Sequence, residues 1–168
     1  MATSSGFCKP QILQWIRARV PTTARVLDVG AGVGTYAKLL REYTRMEAVE
    51  VWQHYIEKFG LARLYCAVHA TDALSFLTTC DQYDLVILGD VLEHLTAENG
   101  QLLVELCKLK TNTIVVSVPY LYGQGAIYNN PWEIHRQADL THDVFLERYP
   151  GFLLICEEGG MAAWAWTR

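Results

Sequence analysis

The sequence predicts an α/β fold built on a mostly parallel sheet. Apolar runs typical of strands alternate along the chain with segments of helical periodicity, which favours parallel strands joined by right-handed crossovers. A glycine-rich turn at 30–34 separates the first strand from the helix that follows it. Near the end of the chain, Gly159-Gly160 joins two strand-like runs, and this pair predicts a hairpin. A length of 168 residues suits a single domain spanning 1–168.

The predicted helices follow from apolar spacing and from capping residues. Pro10 suits the first turn of a helix at 9–20, and Pro21 ends that helix. The glycine turn opens a second helix that reaches about residue 43. Further helices are predicted at 52–59, 71–79, 97–109 and 141–149. Thr71 and Thr141 are the expected N-caps of the fourth and sixth helices, and Gly60 is the expected end of the third.

Seven strands are predicted at 25–29, 46–51, 63–68, 83–89, 113–118, 152–156 and 161–166. The runs 83–89 and 113–118 are continuously apolar, as expected for central strands buried on both faces. A long irregular segment at about 119–140 follows the fifth strand. Its tyrosines and tryptophan argue against disorder, and a loop of this length in a compact domain is usually functional.

Composition excludes several classes of protein. The net charge of −4 and the lack of a basic cluster argue against binding to nucleic acid. The five cysteines are scattered without a CxxC pair, so neither a disulfide framework nor a zinc site is expected. No signal-peptide core or membrane-length apolar run is present, and we expect a cytoplasmic protein without membrane insertion.

The glycine turn indicates the kind of ligand. An apolar strand ends in Asp28, and Gly30, Gly32 and Gly34 follow at alternate positions. Such a turn lets the backbone approach a ligand closely. Dinucleotide-binding turns have the spacing G-x-G-x-x-G, whereas Thr35 stands where the third glycine of that pattern belongs. The spacing and the nearby carboxylate disfavour a nicotinamide enzyme and favour a ligand that carries a positive charge.

VLDVGAGVGTY, with YDLVILGDVLEHL downstream, resembles the class I S-adenosylmethionine (SAM)-dependent methyltransferases. The resemblance covers nearly the whole chain and meets the D-x-G-x-G-x-G pattern in full. It implies a Rossmann-like three-layer sandwich with a seven-stranded sheet in the order 3-2-1-4-5-7-6, the last strand antiparallel. It also implies SAM as the cofactor and S-adenosylhomocysteine (SAH) as its product.

The resemblance assigns cofactor contacts residue by residue. Asp28, Gly30, Gly32 and Gly34 would hold the methionine part of SAM. Glu50, with Val51 beside it, would accept from the two ribose hydroxyls, since a carboxylate offers two acceptor oxygens. Asp72 would contact the adenine amino group, with Ala73 beside the ring. Asp90 and Val91 would lie beside the methionine and the acceptor.

The acceptor side is less defined. His94, His135 and Asp90 are the candidate catalytic residues, because a base is required only when the acceptor must lose a proton. The 119–140 loop should wall the acceptor pocket, and its N-P-x-x-x-H pattern is similar to that of small bacterial and phage methyltransferases associated with sugar modification. A small-molecule or saccharide hydroxyl is therefore the expected acceptor.

Alternatives to this function stay open at this point. The chain could be a catalytically silent SAM-binding regulatory module, and a partner protein or a homodimer could complete an open acceptor pocket. A nucleic-acid methyltransferase is disfavoured because GDVLEH stands where an N/D-P-P-Y/F motif would be expected. Asp90, Glu93, His94 and His135 could assemble a metal site, but no metal is expected.

Overall fold

A computed structural model describes residues 5–168. Seven strands form one sheet in the order β3-β2-β1-β4-β5-β7-β6, as the resemblance implies. The strands are β1 (Arg25–Val29), β2 (Arg45–Val49), β3 (Ala67–His69), β4 (Leu85–Gly89), β5 (Thr113–Pro119), β6 (Leu153–Glu158) and β7 (Met161–Thr167). The first five pair in parallel, while β7 pairs antiparallel with both β5 and β6.

Six helices connect the strands. They are α1 (Lys9–Arg19), α2 (Thr35–Leu39), α3 (Gln53–Lys58), α4 (Ala73–Thr79), α5 (Ala97–Lys110) and α6 (His142–Arg148). Short 3-10 turns occur at Leu61–Arg63, Leu92–His94 and Pro131–Glu133. None of the helices within the described residues combines the length and apolar character that crossing a membrane would require.

The side chains of the sheet divide between two cores, as strand periodicity demands. Val26 of β1 packs with buried residues of α1 and α2, whereas its neighbour Leu27 packs with buried residues of α4, α5 and α6. Helices therefore cover both faces of the sheet, and the fold has three layers with the sheet in the middle. The carboxyl ends of the parallel strands meet at one edge, where α/β folds of this kind bind ligands.

Three local predictions are wrong. The third strand is only Ala67–His69, because a left-handed Gly60 starts a 3-10 turn at Leu61–Arg63 where the strand was expected to begin. Helix α2 ends at Leu39 rather than near residue 43. Thr71 is not the cap of α4; the Asp72 carboxylate accepts from the Ser75 amide at 2.9 Å and caps that helix.

Two capping predictions are confirmed. Thr141 caps α6 by accepting from the amide of Val144. Gly60 follows the end of α3 with φ +61°, the left-handed conformation that glycine adopts without a steric cost.

Candidate active site

The glycine turn lies directly after β1, and its three glycines have different physical roles. All have positive φ (66°, 52° and 74° for Gly30, Gly32 and Gly34). A Cβ on Gly34 would lie 2.5 Å from a methyl of Leu64, so this glycine is required for packing. A Cβ on Gly32 would meet nothing closer than 3.8 Å, so its open side faces the neighbouring cleft. Gly32 is thus the position where a ligand can approach the backbone.

A cleft of about 420 Å³ extends from this turn across the carboxyl ends of β1, β4 and β5. That volume lies in the range of small-molecule sites. The predicted residues that line it are Asp28, Gly30, Gly32, Asp90, His94 and His135. Gly159, Gly160 and Met161 of the terminal hairpin also reach the cleft. Phe7 and Tyr122 line it too and are about half exposed, which leaves the cleft open to solvent.

Glu50 follows β2 and is joined to the glycine turn by hydrogen bonds. Its carboxylate accepts from the Gly32 amide at 2.9 Å and from the Trp52 amide at 2.8 Å. The side chain is only 6% exposed, and burial raises its pKa although these two amides oppose the rise. The carboxylate is therefore fixed beside the backbone that a ligand would contact.

Asp28 lies at the floor of the cleft, fully surrounded by protein. Its carboxylate accepts from the Tyr65 hydroxyl at 2.5 Å. Burial raises the pKa of Asp28 to about 7, and both the Tyr65 hydroxyl and the charge of Lys9 oppose that rise. Ionised Asp28 is thus costly in the ligand-free protein, and a cationic ligand would lower its pKa.

Asp90 follows β4 with a left-handed φ of +59°, which aspartate tolerates better than most residues. The Ser117 hydroxyl donates to its carboxylate at 2.9 Å, and the Lys9 ammonium lies 3.8 Å away. Lys9 is 5% exposed and also donates to the Tyr36 hydroxyl at 3.1 Å. Burial lowers the pKa of Lys9, but Tyr36 and Asp90 outweigh this effect and leave it above the usual value.

The cleft carries an excess of acidic groups. Four carboxylates line it, and no lysine or arginine of the described residues is part of its wall. These four are Asp28, Asp90, Glu93 and Glu133. Lys9 lies beneath the wall and offsets only part of this charge. The field in the cleft therefore favours cationic ligands over anionic ones.

Glu93, His94 and His135 form a cluster in the wall of the cleft. One ligand-type atom from each residue lies within 4.8 Å of the others. The two imidazole rings are 4.7 Å apart in an edge-to-face arrangement. Burial raises the pKa of Glu93 well above its usual range, and burial together with His135 lowers the pKa of His94 to about 4.

Backbone hydrogen bonds hold the 119–140 loop against the 3-10 turn after β4. The amides of Arg136 and Gln137 donate to the Glu93 carbonyl at 2.7 and 3.1 Å. The Gln137 side chain is buried and donates to the Leu92 carbonyl at 2.6 Å. The loop is an ordered wall of the cleft that brings His135 to the cluster.

Several residues assigned from the sequence lie outside the walls of this cleft, namely Gly34, Glu50, Val51, Asp72, Ala73 and Val91. Glu50 still contacts the turn through Gly32, and Val91 packs against Gly30, where a Cβ would lie 2.8 Å from its methyl. The cofactor contacts of Val51, Asp72 and Ala73 stay predictions.

Sequence reasoning missed the polar groups beneath the cleft. The residue pattern marks Lys9 only as the start of a helix, and it assigns Tyr65 to a predicted strand without a role. Ser117 did offer a signal, because it is the single hydroxyl in the otherwise apolar run IVVSV. A polar residue at the buried end of a central strand indicates a partner inside the fold.

No protein-family model matches the chain, and no curated protein matches it significantly. Solved structures do match in fold. A SAM-dependent methyltransferase from Archaeoglobus fulgidus superposes with a TM-score of 0.59 at 23% identity over 86% of this chain and 69% of that chain. The methyltransferase domain of bacterial CtHen1-CN gives 0.65 at 21% identity over 94% and 98%.

A third structure extends the comparison to a liganded protein. The magnesium protoporphyrin IX methyltransferase of Synechocystis, with bound SAM, gives a TM-score of 0.63 at 15% identity over 95% of this chain and 77% of that chain. The chain therefore has the fold of the class I SAM-dependent methyltransferases. The resemblance drawn from the sequence motifs is confirmed at the level of the fold.

Proposed function

We propose that the protein is a SAM-dependent methyltransferase. The observation that carries the proposal is the seat formed by the Gly32 backbone and the Glu50 carboxylate beside an acid-lined cleft. Glycine allows close approach of a ligand, and a carboxylate at the end of the second strand suits vicinal hydroxyls. The excess acid suits a ligand that carries a sulfonium.

The cofactor residues then divide by the part of SAM that each would contact. Gly30 and Gly32 support the methionine part, with Asp28 supplying negative charge beneath it. Glu50 accepts from the ribose hydroxyls, and Val51 packs beside it. Asp72 and Ala73 at the start of α4 contact the adenine. Asp90 and Val91 lie beside the methionine and the acceptor.

Methyl transfer from a sulfonium is an in-line displacement, so alignment in a water-poor cleft supplies most of the acceleration. An acceptor hydroxyl must also lose a proton. His94 and His135 lie with Asp90 on the wall of the cleft. They are the groups placed to act on that proton, either as bases or by holding an ion that acidifies the hydroxyl.

The proposed acceptor is a hydroxyl of a small molecule or a saccharide. Tyr122, Tyr128 and Trp132 of the loop are each more than half exposed. Aromatic faces of this kind stack on sugar rings or on planar ligands. They also leave an uncovered surface that a larger acceptor, a partner protein or a second copy could occupy.

Calorimetric titration tests the donor. We expect SAM and SAH to bind, NAD to show no binding, and Glu50→Gln to weaken SAH binding at least tenfold. Glu57→Gln is the matched control, since Glu57 is exposed on α3 and its carboxylate accepts from the Gln53 side chain at 2.9 Å. Tight NAD binding without SAM binding would overturn the proposal.

Transfer of a labelled methyl group to a panel of hydroxylated acceptors separates an enzyme from a silent SAM-binding module. We expect label in at least one saccharide or small phenol or alcohol. SAH binding without transfer to any acceptor would favour the regulatory module.

A further inference from the structure

We propose that Glu93, His94 and His135 bind a divalent transition-metal ion on the acceptor side of the cleft. The proposal that an ion binds is argued from the positions and contacts of these three residues alone. The chemical role of the ion, the acidification of an acceptor hydroxyl, rests on the proposed function. The three residues come from two segments, the 3-10 turn after β4 and the 119–140 loop.

The separation of the ligand atoms suits a single ion. One carboxylate oxygen and two ring nitrogens lie within 4.8 Å of one another. Metal–ligand bonds of about 2.0–2.2 Å place neighbouring ligand atoms about 3.0–3.5 Å apart in tetrahedral or octahedral geometry and about 4.4 Å apart when they lie on opposite sides of the ion. A shift of the side chains by about 1 Å would therefore complete the coordination.

Two of the three residues each hold a buried polar side-chain atom without a hydrogen-bond partner among the described residues. They are Oε2 of Glu93 and Nδ1 of His94. Glu93 is 1% exposed and lines the cleft, so a carboxylate oxygen is held out of water with nothing to satisfy it. An unpaired buried carboxylate is costly, and coordination to a cation removes that cost. Asp90 is left out of the ligand set because Ser117 already donates to its carboxylate.

His135 is oriented as metal-binding histidines usually are. Its Nδ1 lies 2.8 Å from the backbone carbonyl of Tyr122. A carbonyl only accepts, so Nδ1 carries the proton and Nε2 keeps its lone pair. A second hydrogen bond from the His135 amide to the Gln124 carbonyl at 2.9 Å fixes the backbone. A ligand histidine with its other nitrogen donating to a carbonyl is the usual supporting arrangement.

The donor set determines the class of ion. Two imidazoles and one carboxylate suit Zn²⁺, Mn²⁺ and Fe²⁺, whereas Mg²⁺ prefers oxygen ligands alone. The carboxylates of the cleft add a favourable field, and no lysine or arginine of the described residues lines the wall to oppose it. Three protein ligands leave coordination positions for water or for an acceptor.

An ion there would replace the imidazoles as the agent that activates the acceptor. The acceptor hydroxyl would bind the ion and release its proton to solvent, since a metal lowers the pKa of a bound hydroxyl. Its oxygen would then form a bond to the methyl carbon. The carbon–sulfur bond of SAM would break with its electron pair remaining on sulfur, which leaves neutral SAH.

The test uses the full chain freed of metal with a chelator. We expect one equivalent of Mn²⁺ to bind, seen as loss of the free-ion signal in electron paramagnetic resonance. Zn²⁺ should compete with Mn²⁺ and Mg²⁺ should compete poorly. Glu93→Gln and His135→Ala should each weaken Mn²⁺ binding at least tenfold. His142→Ala is the matched control, because His142 is an exposed histidine on α6 outside the cleft.

SAH titration of the same samples keeps the two proposals apart. If a variant binds SAH normally but has lost Mn²⁺ affinity, the site is assigned and the fold is intact. If Mn²⁺ affinity is equal in the metal-free protein, Glu93→Gln and His135→Ala, the metal site is refuted while the cofactor proposal stands. If SAH fails to bind the unaltered protein but Mn²⁺ binds through these residues, only the proposed function fails.

Discussion

The substitution Asp28→Asn at the floor of the cleft should increase the free energy of unfolding and weaken the binding of a cationic ligand. Burial raises the pKa of Asp28 in the folded protein to about 7, against 3.8 for an ordinary aspartate. The difference of about three pH units corresponds to about 4 kcal/mol, at about 1.4 kcal/mol per unit. Asparagine keeps an oxygen that can accept from the Tyr65 hydroxyl and carries no charge.

The direction of the stability change follows from the protons that the folded and unfolded proteins bind. Since the folded-state pKa is the higher one, the folded protein binds more protons between pH 3.8 and about 7. The contribution of Asp28 to the free energy of unfolding is greatest below pH 3.8. It decreases as the pH rises and is lost above about pH 7. Asp28→Asn should therefore gain stability relative to the unaltered protein across this range, by up to about 4 kcal/mol at pH 8.

Urea denaturation at pH 5 and pH 8 measures the effect, with Asp81→Asn as control because the Asp81 side chain is 88% exposed. SAH and SAM titrations accompany it. The unaltered protein should bind SAM more tightly as pH rises through 7, and Asp28→Asn should lose that dependence. Equal changes in stability at both pH values would refute the assignment of a buried, costly carboxylate.

Three further substitutions separate binding from folding. The alanines of Gly32→Ala and Gly34→Ala must both adopt a left-handed φ, which costs each variant about 1–2 kcal/mol of stability. Gly32→Ala should also lower SAH affinity at least tenfold in calorimetry. Gly34→Ala should lower the melting temperature by several degrees more than Gly32→Ala does, because its Cβ would also collide with Leu64. Equal effects of both on stability would contradict the distinction. Lys9→Met should destabilise the protein in urea by about 2 kcal/mol, because Asp90 loses a nearby opposite charge and Tyr36 loses a charged hydrogen-bond donor, and an unchanged midpoint would argue against these contacts.

Sequence patterns predicted the elements that depend on local chemistry. The runs around β4 and β5 are apolar enough to specify central strands, and the spacing of Gly30, Gly32 and Gly34 identifies the turn. The prediction began β3 too early because Gly60 not only follows the end of α3 but also starts the 3-10 turn at Leu61–Arg63. That turn depends on backbone hydrogen bonds, which the residue pattern does not reveal.

The sequence predicts those site residues that belong to a single segment. It does not predict contacts between segments that are far apart in the chain. Asp28 and Gly32 belong to a single motif. Lys9 reaches Ser117 across 108 residues, and this contact depends on how α1 packs on the sheet. The approach of Glu93 to His135 likewise depends on backbone hydrogen bonds of the loop. Tertiary packing creates such contacts, and neither residue spacing nor composition reports them.

The surplus of carboxylates along the cleft has a consequence for turnover. On the proposed function, the donor would enter with a sulfonium charge, and the thioether that remains after transfer would have lost it. The cleft would then attract SAH less strongly than SAM, by a Coulombic amount that salt would reduce. The acidic wall would thus favour the exchange of SAH for SAM. Product inhibition by the thioether should become relatively stronger as ionic strength rises.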